Sequence, residues 1–418
     1  MTPCRDAAPG EAARPGGHGP SFRLPDMSRL RLLTAGESHG PLLTALLEGL
    51  PAGLRLDVAA VDADLARRQH GYGRGGRMKI EKDRVRFTGG LRGGETLGGP
   101  LAMHVENFDH GVWEKVMGPV EVDPEAAAKR RLSSPRPGHA DLPGGLKYGR
   151  RDLRDVLERA SARETTMRVA AGAVCRQLLG AFGVEVKSGV LSVGPVASEE
   201  PREGWSFASL AAVREDSPFR AVEPALEEKM TLAVDAAAKA GDTLGGTILV
   251  AARGVPAGLG SHVSWDRKLD GILGQAILSI PSVKAVSIGS GVSNAFAPGS
   301  LAHDPVEWSA ERGFFRPRNR AGGLEGGITN GEDVLAVVFQ KPIATLREGL
   351  PSVDLDTKAP HRAQYERSDV TAVPACGVIA EAMLAFVLAG ALLEKTGGDS
   401  MDEVRRNLDA FVAAQRSF

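Results

Sequence analysis

Four guanidinium groups and one imidazole fall within eleven residues, from Arg67 to Arg77, interleaved with glycine: Arg67-Arg68-Gln69-His70-Gly71-Tyr72-Gly73-Arg74-Gly75-Gly76-Arg77. Arginine presents planar forks that match phosphate and carboxylate oxygens, and glycine lets backbone wrap closely around a small anion. The same composition also suits a solvated basic loop or an Arg/Gly nucleic-acid segment, although Tyr72 is its one aromatic. A second cluster is Pro135-Arg136-Pro137-Gly138-His139-Ala140-Asp141. Two prolines stiffen the chain around Arg136, and histidine is the side chain best suited to move a proton near neutral pH. Either Asp141 or a backbone carbonyl can fix its tautomer. A third, Gly36-Glu37-Ser38-His39-Gly40, sets another histidine in a glycine-flanked turn whose spacing is not that of a nucleophile elbow. The fourth is Glu366-Arg367-Ser368-Asp369, an anion-binding and proton-moving pair or an ordinary capped ion pair. Lys341-Pro342-Ile343-Ala344-Thr345 reads as a strand end. Together these supply many guanidiniums, two histidines and a carboxylate without metal-ligand spacing. That combination suits proton transfer on a substrate carrying phosphate and carboxylates.

The elements that position these residues follow from periodicity. Arg29–Leu47 reads as strand, tight loop, then strand or short helix; Val61–Arg68 as a short helix; Val85–Val105 as short β-runs broken by Gly-Gly. Apolar residues recur at helical spacing through Leu153, Val156, Leu157, Ala160, Met167, Ala170, Val174 and Leu178, which predicts one long helix over Asp152–Phe182 with Gly183 as its stop. Residues 184–300 are mixed, with a strand over Gly246–Ala251 and a helix over Trp265–Ser279. Thr371–Lys395 is apolar on nearly every face, with Pro374 near its start and Gly397 near its end, and so reads as a central core helix. The fold class is α+β. The string Gly94-Glu95-Thr96-Leu97-Gly98-Gly99 recurs as Gly241–Gly246 and more weakly as Gly322–Gly327, which suggests an internal pseudo-repeat.

The 418 residues carry 51 basic and 52 acidic side chains, so the net charge of -1 gives no general attraction to nucleic acid or an anionic membrane. Cys4, Cys175 and Cys376 are odd in number and unclustered, which argues against a disulfide framework or zinc site and fits a reducing cytoplasm. Residues 1–26 are rich in Pro, Gly, Ala and Arg without an apolar segment, and read as a disordered tail preceding a single domain over 27–418, with Met27 an alternative start. The apolar run Ala382–Leu393 is too short to span a bilayer.

In this order, Gly36-Glu37-Ser38-His39-Gly40, Arg136-Pro137-Gly138-His139-Ala140-Asp141, Ser161-Ala162-Arg163-Glu164-Thr165 and Arg367-Ser368-Asp369 resemble chorismate synthase, from about Leu30 into the C-terminal region. The resemblance implies a β–α–β sandwich, with core helices between two antiparallel sheets, assembled as a homotetramer. It implies an anti 1,4-elimination of phosphate from 5-enolpyruvylshikimate 3-phosphate, giving chorismate for aromatic amino-acid biosynthesis. The reaction is redox-neutral but needs reduced FMN, which lends electron density and takes it back. Carried over, His39 would protonate the departing phosphate. His139 would protonate or stabilise the reduced flavin, and Asp369 would help remove the C6 proton. Ser38, Arg68, Arg74, Arg77 and Arg136 would hold the substrate, the Arg68 and Arg74 positions also serving NADPH in bifunctional relatives. Ser161, Ala162, Arg163, Gly326, Lys341, Pro342, Ile343, Ala344, Thr345 and Arg367 would line FMN.

Where many relatives read Ser-Ile-Asn-Ala, this chain has Ser279-Ile280-Pro281-Ser282. Pro281 can meet the flavin only through its ring or carbonyl, a loss on the order of 1 kcal/mol, with Ser282 beside it. No appended reductase domain is visible, so the monofunctional type is expected, with an external flavin reductase as partner. A flavin reductase using NADPH is the alternative, but no strand–GxGxxG–helix unit is present. An Arg/Gly RNA-binding protein fits less well, with aromatics at 5%.

Overall fold

The computed structural model describes residues 29–76, 81–201, 204–366 and 368–418. The expected tail over 1–26, Met27, Cys4, Arg77 and Arg367 lie outside these residues. Alternating polar and apolar residues in the N-terminal quarter give strands β1 (Arg31–Ala35) and β2 (Leu42–Glu48), then helix α1 (Val58–Gln69), β3 (Arg86–Gly89) and β4 (Leu101–Glu106). The Asp57 side chain opens α1 by accepting the backbone N–H groups of Ala59 and Ala60. The strands form one antiparallel sheet in the order β1-β2-β4-β3. Period-two burial follows the register: Leu43 faces Val105, Ala45 faces Met103 and Leu47 faces Leu101, all six buried.

The helix expected over Asp152–Phe182 is broken. After α2 (Asp141–Tyr148), it resolves into α3 (Arg154–Ala160), a 3₁₀ turn at Ala162–Glu164, and α4 (Thr165–Gly180). Ser161 takes an extended conformation and its hydroxyl accepts the Arg163 N–H, so a new start is capped inside the apolar run. Periodicity did not reveal the break because the apolar face continues on both sides of it. Beyond α4 come β5 (Glu185–Val193), β6 (Val196–Ala197), α5 (Glu227–Ala240), β7 (Gly246–Arg253), α6 (Leu269–Leu278), β8 (Val283–Ile288) and β9 (Val334–Gln340). The sheet order is β8-β9-β7-β5-β6, again antiparallel throughout.

Two long helices fill the middle. Helix α7 (Val373–Thr396) carries Pro374 in its first turn and Gly397 at its C-terminal cap, and buries side chains on all faces; α8 (Met401–Arg416) closes the chain. Helix α4 packs on the first sheet, α7 packs on the second, and the two pack against each other. They approach so closely that a Cβ on Gly172 would lie 2.3 Å from Ala382 Cβ. The apolar element is longer than Ala382–Leu393: α7 meets the length and composition of a bilayer span, yet 83% of its apolar window is buried within the protein. The Gly-rich echoes occupy unlike settings. Glu95-Thr96 pairs in a small hairpin with Leu91-Arg92, Gly241 is the left-handed cap of α5, and Leu324-Glu325 pairs with Ile328-Thr329.

Candidate active site

Segments from distant parts of the sequence meet around one cavity of about 860 Å³. They include the β1–β2 turn, the end of α1 with its Gly-rich loop, the loop before α2, the α3–α4 break, the turn between α6 and β8, and the stretch after β9, with the start of α7. Gly36 turns the first loop at φ +107; a side chain there would meet the Leu42 carbonyl oxygen at 2.5 Å. This turn delivers Ser38, whose N–H donates to the Glu158 carbonyl and whose hydroxyl meets that of Ser161 at 3.1 Å, and His39.

Both histidines are held at Nδ1 by carboxylates. His39 Nδ1 lies 2.9 and 3.0 Å from the two oxygens of Glu158, and its backbone N–H donates to the same group. Its ring stacks on Trp113, with centroids 4.1 Å apart. His139 Nδ1 lies 2.6 Å from Asp141 Oδ1, so the carboxylate, not a backbone carbonyl, sets this tautomer. Asp141 also accepts Nε, Nη2 and the backbone N–H of Arg136, while Arg136 Nη1 donates to Thr345. Burial works against the Asp141 charge, but the bonds from His139 and Arg136 outweigh it and hold this carboxyl well below the usual range. Asp369 accepts the Gly75 N–H at 2.6 Å and pairs with Arg74 at 2.9 Å. The candidate base and the glycine loop are thereby tied together.

The arginines divide. Arg68, fully buried, donates to Thr165, to the Ala162 carbonyl and to Asp83, and burial lowers its pKa to about 10. Arg163 is bolted to Asp83, Asn107 and Glu81. Arg67 belongs elsewhere: it pairs with Glu381 of α7, Asp64 and Glu215, and does not line the cavity.

Ser161, Ala162, Pro281, Ser282, Lys341, Ile343, Ala344 and Thr345 all line the cavity, whereas Gly326 and Pro342 do not. The Ser282 hydroxyl donates to the Pro281 carbonyl, leaving the proline ring as its main surface. Lys341 Nζ donates to the Gly138 carbonyl; burial, with Lys284 nearby, lowers its pKa. The sequence reading missed Trp113, Lys129, Arg130, Arg154 and Glu158. Arg154 bridges Glu158 and Glu366, and with Arg130 lies against the Trp113 ring. A lone tryptophan or one glutamate on a helix carries no spacing signal; the dibasic Arg130-Arg131 was visible but unremarked.

Among the described lining residues the cations are Arg68, Arg74, Lys129, Arg130, Arg136, Arg154, Arg163 and Lys341 and the carboxylates Glu366 and Asp369, while Asp83, Glu81, Asp141 and Glu158, outside the lining, pair with Arg68, Arg163, Arg136 and Arg154. Leu157, Ile280, Ile379 and Ala344 add apolar wall. Cationic donors lining a cavity beside apolar surface fit a planar ring with a phosphate tail lying against an anionic substrate. Fold and site thus define a protein in which one cavity gathers cationic groups and two carboxylate-held imidazoles.

A family model described as chorismate synthase matches residues 30–393. A chorismate synthase of Symbiobacterium thermophilum is 54% identical over 387 residues, covering 92% of this chain and 98% of its own length. That of Thermus thermophilus is 51% identical, covering 93% and 100%. A solved structure titled as chorismate synthase superposes with TM-score 0.74 at 40% identity, covering 93% of this chain and 99% of that one. The chain belongs to the chorismate synthase family. Its activity is that of a carbon–oxygen lyase that forms chorismate in the shikimate pathway, with the family's requirement for a reduced flavin.

Proposed function

We propose that the cavity binds 5-enolpyruvylshikimate 3-phosphate against reduced FMN, and that His39, His139 and Asp369 move the protons of the elimination. When bound, the flavin supplies electron density to the substrate and recovers it. Arg74 and Arg136 bind the phosphate and carboxylates; Arg68, already committed to three partners, adds its charge from behind. His39 offers Nε2 to the departing phosphate, while His139 serves the flavin edge. Asp369, held by Gly75 and Arg74, takes part in removing the C6 proton. Lys341, Thr345 and the Ser161–Arg163 turn hold the flavin, with the Pro281 ring against it. The convergence of these cationic groups, two carboxylate-held imidazoles and Asp369 on one hollow carries this reading.

Residues 27–418 act as one catalytic domain. Helices α4 and α7, each packed on its own sheet, support the β–α–β sandwich arrangement; the homotetramer is inferred from family membership alone. The enzyme works in the cytoplasm and receives its flavin from a separate NADPH-dependent reductase. The direct test is phosphate release from the substrate under anaerobic conditions with dithionite-reduced FMN. Intact substrate after prolonged incubation with flavin-loaded protein would refute the assignment. NADPH oxidation in air with added FMN, at turnover rates, would show that no external reductase is needed.

A further inference from the structure

We propose that Glu158 is a positioning residue for the elimination, acting through His39; this rests on the reading of His39 as the proton donor to phosphate. The Glu158 carboxylate is fully buried on α3 and receives three groups: the His39 backbone N–H at 2.8 Å, His39 Nδ1 at 2.9 Å, and Arg154 Nη1 at 3.2 Å. An ionised carboxylate only accepts. Nδ1 must therefore carry a proton, and any second proton or lone pair sits on Nε2. Burial works against the Glu158 charge, but the bonds from His39 and Arg154 outweigh it and the net shift is downward, so the group stays an acceptor at neutral pH.

Further contacts hold the ring in this pose. Trp113 stacks at 4.1 Å with an interplanar angle of 29°, which blocks rotation out of plane. Asp109 Oδ2 is 4.0 Å from Nε2, beyond hydrogen-bond reach, and His110 Nδ1 meets the His39 carbonyl at 2.9 Å. Because two donors of one residue meet a single carboxylate, backbone and ring of His39 are fixed together. A shift of Glu158 would move both. Its own helix ends at the Ser161 break that lines the cavity, so the same element that frames the site aims the imidazole into it.

The test pairs kinetics with nitrogen-15 NMR of histidine-labelled protein. In the wild type, neutral His39 should show Nδ1–H with Nε2 unprotonated. Glu158→Gln keeps the shape but loses the charge and one acceptor. It should mix the tautomers and lower kcat roughly 10- to 100-fold, as for other orienting partners of a functional imidazole, with KM for substrate changed less than about threefold. Glu158→Asp keeps the charge one methylene back and should recover part of both readouts. Circular dichroism establishes that each variant is folded. In a His39→Ala background, Glu158→Gln should cost nothing further. An Nε2–H tautomer in the wild type, an unchanged kcat in Glu158→Gln, or the same loss added on top of His39→Ala would each overturn the proposal. Wild-type turnover in His39→Ala alone would instead strike the role of His39, leaving the tautomer measurement to judge Glu158.

Discussion

Arg67 and Arg68 are neighbours on α1 but serve opposite kinds of site. Arg67 enters a closed knot in which Arg67, Arg176 and Arg220 meet Asp64, Glu215 and Glu381, three charges against three. Arg68 enters a cavity where cations outnumber carboxylates fourfold among the described lining residues. The knot neutralises itself and fastens α1 to α7; the cavity's arginines are braced by Asp83, Asp141 and Glu158 while bordering a hollow that anions can enter. Burial of charge is costly in both places. In both the chain supplies carboxylate partners; only in the second do the cations also border the cavity.

The comparison can be broken in order of expected effect. Glu381→Ala should cost about 3–5 kcal/mol of stability, because it strands buried guanidiniums, while kcat well below the melting temperature stays within a few-fold; urea unfolding measures the first and steady-state assay the second. Burial would raise the Glu381 pKa, but Arg67, Arg220 and Arg176 outweigh it and hold the carboxyl far below its ordinary value of 4.5. Its folded value is the lower one, so its contribution is present above the unfolded value and drains away as pH falls below it. The melting temperature should therefore depend less steeply on pH from about 5 to 3 in Glu381→Gln than in the wild type. His139→Ala should do the reverse: roughly a hundredfold or greater loss of anaerobic turnover with little change in melting temperature.

Gly172→Ala pushes a methyl into the α4–α7 contact and should destabilise by about 1–3 kcal/mol without a selective effect on KM, as followed by thermal unfolding. Arg74→Ala should weaken substrate binding roughly tenfold, the scale of one charged hydrogen bond, and FMN binding less. Separate calorimetric titrations of the two ligands would reverse the assignment if FMN suffered more.

Much of this was legible in residue order. The core helix of Val373–Thr396 announced itself by being apolar on nearly every face, and β1 with its tight loop by an apolar run ahead of Gly36 and Gly40, although the element after the loop read equally as strand or short helix. Both histidines stood out because rare chemistry sat between glycines and prolines, and Asp369 because it follows an arginine just before the core helix. The partition of Arg67 from Arg68 was not legible, since it depends on Glu381, more than three hundred residues away. Glu158 was invisible for the same reason: its partner His39 is distant in sequence, and a glutamate on an amphipathic helix looks like solvated surface. The break at Ser161 was hidden because serine is tolerated within helices and reveals its capping role only through its neighbours' backbone.

That break has a geometric consequence. An α-helix turns each successive residue by about 100°, so Ala160, Ser161, Ala162 and Arg163 on an unbroken rod would sweep about 300° and scatter around its circumference. Here all four border the same hollow, together with Leu157 and Thr165. By resetting its angular phase at one residue, the chain spends consecutive positions on a single wall, with no need to recruit every third or fourth position from a longer span.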